Sequence, residues 1–244
     1  MPRKILSLYA FLLAVALLGA PGARAQDSPE YRDFRRIAGD QSALFRGRIA
    51  ERHETITANG HPFWSTREFL SGDITVDGRT YCDVPINIDV LTQQALVRLS
   101  NGVFSIALEP AQVSSILLNG HRYVGVSGES DIPEGFYEVI GQGPEFVYKQ
   151  ISKTLASSTN NVNGEVLGYV DPNYNPKIMR YFAYSVRYYF RDREGRFFRF
   201  RDADGLIRHF RDKKKELRKA ARKLEQDRKD FDLVCQVILN TAAL

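Results

Sequence analysis

The segment YFAYSVRYYFRDREGRFFRFR, residues 181 to 201, holds the side chains whose types and spacing most clearly suggest ligand binding. It contains nine aromatic residues and six arginines. Arginine contributes a fixed positive charge and aromatic rings contribute flat faces, which together bind single-stranded nucleic acids. The same electrostatics attract anionic glycans and lipid headgroups. The competing interpretation is an amphipathic hairpin in which guanidinium groups stack on neighbouring rings.

This segment has two faces if it folds as a hairpin over the loop Arg193-Glu194-Gly195. Gly195 supplies the positive φ that a type I turn followed by a bulge requires, and Phe190 then pairs with Phe198. We expect the first face to be buried, and it carries Phe182, Tyr184, Val186, Tyr188, Phe190, Phe198 and Phe200. We predict an anion-binding or partner-binding surface on the second face, which carries Arg187, Tyr189, Arg191, Phe197, Arg199 and Arg201.

Metal-binding patterns are incomplete in this chain. The four histidines are His53, His61, His121 and His209. None of them has the spacing of zinc ligands. The stretch DPNYNP, residues 171–176, begins like a calcium loop, but proline stands where glycine is needed and Phe182 where a carboxylate is needed. We therefore predict no metal and no cofactor.

Catalytic patterns are incomplete as well. The stretch GVSGES, residues 125–130, lacks the glycine spacing of a nucleophile elbow. Acidic pairs such as Asp83 with Asp89, or Glu109 with Glu138, serve hydrolysis only if the fold brings them together. We predict no catalytic residue and keep a hydrolase of envelope or dietary polymers as the alternative function.

The tail from Arg208 to Lys229 is strongly basic, with eleven Lys or Arg against four Asp or Glu, a net charge of +7. Basic amphipathic helices can lie on an anionic membrane surface, which would make this a peripheral membrane protein. We favour the other interpretation, in which the charges form the solvated face of helices whose apolar side covers a sheet.

The first 25 residues have the three-part pattern of a cleaved secretory signal. Arg3 and Lys4 precede an apolar run of 14 residues, Ile5 to Leu18, and the segment ends in Ala-Arg-Ala. A spanning helix needs about 20 residues, so we expect cleavage after Ala25, export to the periplasm, outer membrane or medium, and no transmembrane span in the mature chain. Cleavage lowers the formal charge from +5 to +2, and export argues against a nucleic-acid partner.

Antiparallel hairpins are predicted from about Ala43 to Arg201, where short runs rich in Val, Ile, Phe and Tyr alternate with turn signals. The turn signals are Asp77-Gly78, Asn101-Gly102, Asn119-Gly120, Gly141-Gln142-Gly143-Pro144 and Glu194-Gly195. The second signal pairs Val97 with Ile106, and the third pairs Ile116 with Tyr123. Residues 155–164 and 171–176 are predicted to be irregular connections.

The first hairpin leaves two registers open. Ile74 pairs with Tyr81 over a two-residue loop, or with Cys82 over a three-residue loop. Cys82 and Cys235 could form a disulfide in an oxidising compartment, but we predict two buried and unbonded thiols. The chain has no CxxC motif, so no thiol redox site is indicated.

From Ala203 onward the apolar period changes from two residues to about 3.6. The residues that recur every seven positions are Phe210, Leu217, Leu224, Phe231 and Ile238. Asp212 and Asp230 are the expected caps, which would divide the tail into three short helices. Ser28 is the expected cap of another short helix near the start of the mature chain.

Several stretches resemble a group of exported proteins of Bacteroidota: LFRGRIAER with GHPFW, GDITVDGRTYCDVPINIDVLTQQALV, GFYEVIGQGPEFVYKQISK, and KKKELRKAARKL with FDLVCQVI. In that group the first hairpin reads roughly G-x-V-x-Y-D-G-x-x-Y-x-x-V-x-L-x-Y-D, and the chain ends in a lysine-rich helical segment. The resemblance covers most of residues 43–240, although Val76 stands where the group has Tyr. It implies export and a β-rich architecture, and it brings no reaction or catalytic residue.

Together these patterns predict a signal peptide at residues 1–25, an antiparallel β domain at 26–202 and a basic helical segment at 203–244. The fold class is mainly β, an antiparallel meander curled into an open or partly closed barrel with short C-terminal α-helices packed on it. The expected function is a non-enzymatic binding or scaffold module of the cell envelope. Its expected partner is an envelope protein, an anionic glycan or a lipid headgroup, with the concave side of the sheet as one place for a ligand.

Overall fold

The computed structural model describes residues 38–51, 60–158, 179–226 and 230–243. The predicted signal peptide, the Ser28 segment, His53 and the DPNYNP stretch lie outside these residues. The chain forms two units, Met1–Ser42 and Ala43–Leu244. The described part of the first unit contains one 3-10 turn, Gly39–Gln41, and the second unit contains the sheet and the helices.

One sheet holds the eleven strands of the described part of the chain. The strands are β1 Arg48–Ile49, β2 Leu70–Val76, β3 Arg79–Asp89, β4 Gln94–Arg98, β5 Ser105–Leu108, β6 Val113–Leu118, β7 His121–Val126, β8 Gly135–Ile140, β9 Phe146–Ser158, β10 Met179–Arg191 and β11 Phe197–Phe200. Their order is β1-β5-β4-β3-β2-β6-β7-β8-β9-β10-β11, and all neighbours are antiparallel. The predicted meander therefore consists of two runs that meet where β6 returns to pair with β2.

The registers predicted for the second and third hairpins are confirmed, and the structure decides between the two that the sequence leaves open for the first. At the first hairpin Ile74 pairs with Tyr81, so the loop has the two residues Asp77 and Gly78. Both have positive φ, 48° and 74°, as a type I′ turn requires. The next two hairpins show the predicted pairs, Val97 with Ile106 and Ile116 with Tyr123.

The sheet curls around an apolar core without closing into a barrel, as predicted. The turn after β3 reaches across to β9, where the Lys153 N–H donates to the Val90 carbonyl oxygen at 3.0 Å. The side chain of Gln93 donates to the Ile151 carbonyl oxygen, also at 3.0 Å. The larger core cluster, which includes Ile74, Ile86, Val97, Ile116 and Phe136, comes mainly from β2 to β9. The concave side, where the sequence predicts a ligand, is therefore filled by the protein's own core.

Three short helices follow the sheet, as the sequence predicts. They are α1 Ala203–Ile207, α2 Lys214–Gln226 and α3 Phe231–Ala243. Asp230 caps α3, because its Oδ1 accepts a hydrogen bond from the Asp232 N–H at 3.1 Å. The prediction of Asp212 as a cap is wrong, since it lies inside a 3-10 turn, Arg211–Lys213. The cap that the sequence reasoning missed is Asp202, whose Oδ1 accepts from the Gly205 N–H at 2.7 Å.

The apolar side of the helices packs against strands β8 to β11 and forms a second core cluster. Its members from the helices include Leu206, Leu217, Ala221, Cys235 and Ile238. The sheet contributes Ile140, Val147, Phe190 and Phe200. The apolar side of the basic tail is thus buried against the sheet, as the solvated-face interpretation predicts. In the described residues no helix has the length and apolar composition that crossing a bilayer requires.

A third, smaller cluster lies on the opposite face of the same strands. It contains Val126, Ile132, Tyr137 and Tyr189, with Tyr148 and Phe197 packed against it. Both cysteines are buried and are not bonded to one another, as predicted. The prediction of an irregular connection from residue 155 is wrong for residues 155–158, because β9 continues to Ser158 in register with β10.

Candidate functional site

The six predicted surface residues come together at the end of the sheet that β11 forms. Arg187, Tyr189 and Arg191 lie on β10, Phe197 and Arg199 lie on β11, and Arg201 follows β11 directly. The predicted hairpin is confirmed, since Phe190 pairs with Phe198 and Gly195 has a φ of 86°. The residues therefore share one hairpin whose outer strand is an edge strand.

The predicted faces of this hairpin hold near its loop and change farther along β10. Phe190 and Phe200 are buried in the second core cluster, as expected. Tyr184, expected on the buried face, is 56% exposed, because it lies outside the cluster that the helices cover. Tyr189 lies on the arginine face but is only 4% exposed, because the ring of Tyr137 covers it with centroids 6.0 Å apart. Tyr189 is therefore part of a core and does not offer its ring to a ligand.

A groove of about 670 Å³ runs along the outer edge of β11. Residues 197–202 form one side, and Gly205, Arg208 and His209 form the other. The groove exists because α1 begins only three residues after β11 ends and turns back over Phe200, which a Cβ on Gly205 would approach to 3.1 Å. Three of the predicted surface residues, Phe197, Arg199 and Arg201, line it.

Two arginines of the hairpin form ion pairs with carboxylates of the protein. Arg193 Nε lies 3.3 Å from a carboxylate oxygen of Glu145. Arg196 forms an ion pair with Asp192 at 2.7 Å. These two arginines hold the loop together and contribute little free charge.

The guanidinium group of Arg191 lies over an aromatic ring, as the amphipathic-hairpin interpretation predicts. Its guanidinium carbon lies 5.3 Å from the ring centroid of Phe146, within the range of a cation–π contact. Arg187 is half-buried, and its charge lowers the pKa of the Tyr137 hydroxyl, although burial raises that pKa overall. Arg187 and Arg191 therefore lie near aromatic rings on the face of the sheet that carries the third cluster.

The arginines of the groove are not held in ion pairs by any described carboxylate. Arg199, Arg201 and Arg208 are exposed, and no described carboxylate forms an ion pair with any of them. Asp202 is the acidic residue of the groove lining, and its Oδ1 accepts from the backbone of α1. The groove thus offers three arginines against one carboxylate and suits an anionic group.

Sequence reasoning missed Gly205, Arg208 and His209 as parts of this site. The ring of His209 packs at a tilt of 42° against Phe198, with ring centroids 4.7 Å apart, and partial burial lowers the pKa of its imidazole. The signal that could have found them is proximity in the chain, since a helix that starts directly after an edge strand must pack beside it. The basic residues of the tail were instead treated as a separate charged segment.

A second polar feature crosses the inner face of the sheet between the two larger clusters. Four neighbouring strands, β7 to β10, each contribute one polar side chain to a row across the sheet. In strand order these are Tyr123, Glu138, Lys149 and Tyr188. Asp232 of α3 completes this polar row. It accepts a hydrogen bond from the Tyr188 hydroxyl at 2.8 Å.

Lys149 is the centre of the polar row. Its Nζ forms ion pairs with Glu138, at 3.3 Å, and with Asp232. Burial alone would lower the pKa of the Lys149 ammonium, but the hydrogen bond that it donates to Asp232 and the charges of both carboxylates raise that pKa. The two carboxylates are consequently committed to one buried cation, and the row ties α3 to the sheet.

The polar row reaches solvent at His121. Its Nδ1 lies 2.6 Å from Oε1 of Glu138, and both residues line a cavity of about 740 Å³ with Asp232, Gln236 and Asn240 of α3. The last three residues are spaced by four and share one helix face, a signal that sequence reasoning missed. Among the described residues that line this cavity there is no serine, threonine or cysteine, so a hydrolytic nucleophile there would be water, as in inverting glycosidases, or a carboxylate, as in retaining ones.

Glu109 and Glu138, one of the acidic pairs considered from the sequence, belong to separate networks. Glu109 binds the Gln94 amide at 2.8 Å, whereas Glu138 binds His121 and Lys149. Asp89 Oδ1 accepts from the Leu91 N–H at 2.8 Å and so orders the turn after β3. In the part of the chain that the structure describes, no three His, Cys, Asp or Glu side chains gather as metal ligands would.

The basic groove at β11 is therefore the candidate site, and the cavity beside His121 is the second choice. No protein-family model, no curated protein and no solved structure matches this chain.

Proposed function

We propose that this protein is a non-enzymatic binding module that captures an anionic partner in the groove along β11. The single observation that carries the proposal is the set of three exposed arginines, Arg199, Arg201 and Arg208, without described ion-pair partners around a groove of about 670 Å³. Free cations that converge on one groove attract an anion at short range and are screened by salt.

Export is part of the proposal, and the first 25 residues support it. An exported chain meets anionic glycans, lipid headgroups and acidic proteins of the cell envelope, which are the partners expected for this groove. Sequencing the N-terminus of the protein recovered from the producing cells tests this part. Gln26 is the expected first residue, and an intact Met1 contradicts export by a cleaved signal.

The experiment for the groove compares two double variants of equal charge change. Arg199→Ala with Arg201→Ala removes two free cations, whereas Arg193→Ala with Arg196→Ala removes two that are already in ion pairs. Binding is measured by fluorescence anisotropy with three labelled anionic probes: dextran sulfate, vesicles containing phosphatidylglycerol, and an acidic peptide.

We expect the first double variant to weaken binding of at least one probe about tenfold at low salt, equivalent to about 1.4 kcal/mol. The control variant should change binding by less than about twofold, because ion-paired surface arginines contribute little free charge. Equal losses in both variants, or no binding of any probe by the unaltered protein, would contradict the proposal.

A hydrolase is the second candidate function, and the His121–Glu138 pair favours it. A carboxylate that holds one imidazole nitrogen leaves the other free to act as a general base towards water. Hydrolysis of envelope or dietary polysaccharides by the protein, lost in His121→Ala and retained in Arg199→Ala, would support this function over the binding module.

A peripheral membrane role uses only the charged side of α2, because the apolar side is buried in the second core cluster. Such binding is electrostatic and lacks apolar insertion, so we expect high salt to release the protein from anionic vesicles.

A further inference from the structure

We propose that the groove along β11 binds an extended acidic segment of another polypeptide, which pairs with β11 as a twelfth strand of the sheet. This inference rests on the proposed function, because it names the partner of the same groove. It follows from three features of the groove: the direction of the backbone groups of β11, the alternation of its side chains, and the charge of its lining.

The backbone of β11 is paired on one side only. β11 is the last strand in the sheet order, and no described strand lies beyond it. The Asp192 N–H donates to the Arg196 carbonyl oxygen at 3.1 Å, so this pair is a hydrogen-bonded pair of the ladder. Hydrogen-bonded and non-hydrogen-bonded pairs alternate along antiparallel strands.

The alternation assigns a direction to each backbone group of β11. The N–H and C=O groups of Phe198 and Phe200 point towards β10, whereas those of Phe197 and Arg199 point away from the sheet. Exposed edge groups of this kind are the template on which an added strand forms its hydrogen bonds. The groove lies along β11, and the residues that line it include Phe197 and Arg199.

Side chains on neighbouring strands share a face when they lie opposite each other. A residue of the added strand opposite Arg199 therefore lies on the arginine face, and a residue opposite Phe198 lies beside the rings of Phe198 and His209. The chemistry that fits is an alternation of acidic and apolar residues, with the acidic residues opposite Arg199 and Arg201.

A second copy of this chain fits the edge less well. Two β11 strands paired about a twofold axis would bring Arg199 and Arg201 of both copies together, and like charges on paired strands are destabilising. Charge complementarity therefore favours an acidic partner over self-association, and the oligomeric state becomes one result of the test.

The test uses peptides that differ in one property at a time. The probe is a labelled peptide of alternating Glu and Val. The first control has the same composition in two blocks, so that charge is kept and alternation is lost. The second control is the alternating peptide with every second backbone nitrogen methylated on the edge that pairs with the protein. Strand addition predicts that each control binds at least tenfold more weakly than the probe.

A matched pair of protein variants tests the same backbone groups. Arg199→Ala and Arg199→Pro lose the same charge, but only the proline variant loses the N–H that points away from the sheet. Proline is tolerated on an edge strand where its missing N–H would face solvent. We expect Arg199→Ala to weaken binding of the probe severalfold and Arg199→Pro to weaken it at least tenfold further. Thermal unfolding and circular dichroism show whether Arg199→Pro folds. If this variant does not fold, binding of the methylated peptide to the unaltered protein tests strand addition instead.

The outcomes separate this inference from the proposed function. If dextran sulfate or anionic vesicles bind through Arg199 and Arg201 while no peptide does, strand addition is overturned and the binding module stands. Equal binding of the alternating and blocked peptides, or equal losses in the two Arg199 variants, also overturns it. A dimer through β11 in analytical ultracentrifugation that excludes the probe overturns the choice of occupant. Absence of binding to every anionic probe overturns both proposals.

Discussion

Phe190 and Phe198 pair across β10 and β11 but differ in burial. Phe190 is 1% exposed and contacts the ring of Phe210, whereas Phe198 is half-buried at the groove. We expect Phe190→Ala to lower the free energy of unfolding by about 3 to 5 kcal/mol. Phe198→Ala should cost less, and Arg199→Ala less than about 0.5 kcal/mol. Urea denaturation of the three variants measures this order, and a larger loss for Arg199→Ala than for Phe190→Ala would contradict the assignment of faces.

Lys149 is the residue whose removal should leave the most unfavourable charges behind. Lys149→Met keeps the aliphatic volume but leaves Glu138 and Asp232 without their shared cation. Breaking a buried ion pair in this way costs about 3 to 5 kcal/mol, and we expect the lower part of that range because the site is not fully buried. Calorimetry of the variant and of the triple variant Lys149→Met with Glu138→Gln and Asp232→Asn tests this. The triple variant should recover part of the loss.

The raised pKa of Lys149 sets the pH range of this stabilisation. A group whose pKa is higher in the folded state stabilises that state fully below its unfolded value, here the ordinary value of 10.5, and the contribution falls as the pH rises through the folded value. The stability difference between wild type and Lys149→Met should therefore be constant from pH 7 to about pH 9.5. It should shrink above the ordinary lysine value. A difference that changes between pH 6 and 8 would assign the effect to another group.

At the scale of single elements, Asp202 links the stability of α1 to the charge of the groove. Its Oδ1 accepts from the Gly205 N–H, and its charge opposes the three arginines nearby. Asn caps helices as well as Asp does, whereas Ala does not. We expect Asp202→Ala to lower the free energy of unfolding by about 1 kcal/mol. Asp202→Asn should leave stability nearly unchanged and tighten binding of an anionic probe.

The two readouts of Asp202→Asn are thermal unfolding and anisotropy with dextran sulfate at low and high salt. Tighter binding at low salt that disappears at high salt is the expected result, because the effect is electrostatic. Weaker binding at low salt would mean that the Asp202 carboxylate contributes to the site in another way.

At the scale of the whole second unit, the sheet and the helices share buried side chains, and the two cysteines report on that packing. Cys82 lies on β3 and Cys235 on α3, both buried. Burial raises the pKa of the Cys235 thiol, which suppresses the reactive thiolate. We expect neither thiol to react quickly with Ellman's reagent in the native state and both to react after denaturation. A single fast thiol in the native protein would mean that α3 separates readily from the sheet, and a chain without free thiols after denaturation would indicate a disulfide.

Features that depend on residues close together in the chain could be predicted without a structure. The loops at Asn101-Gly102 and Arg193-Glu194-Gly195 carry their own turn chemistry, and alternation then sets the faces of the strands beside them. The seven-residue recurrence from Phe210 to Ile238 likewise predicted the buried side of the helices. These signals are local, so no knowledge of distant contacts is needed to interpret them.

Features that depend on contacts between distant segments could not be predicted from the sequence. Tyr189 is buried because residues of β7 and β8 cover a face that alternation alone leaves exposed. The polar row from Tyr123 to Asp232 depends on three registers among four strands and on the placement of α3. A shift of one residue in any of these strands would disperse it. The groove at β11 likewise exists only because α1 folds back beside an edge strand. This packing brings Arg199, Arg201 and Arg208 to one groove, which their positions in the sequence do not show.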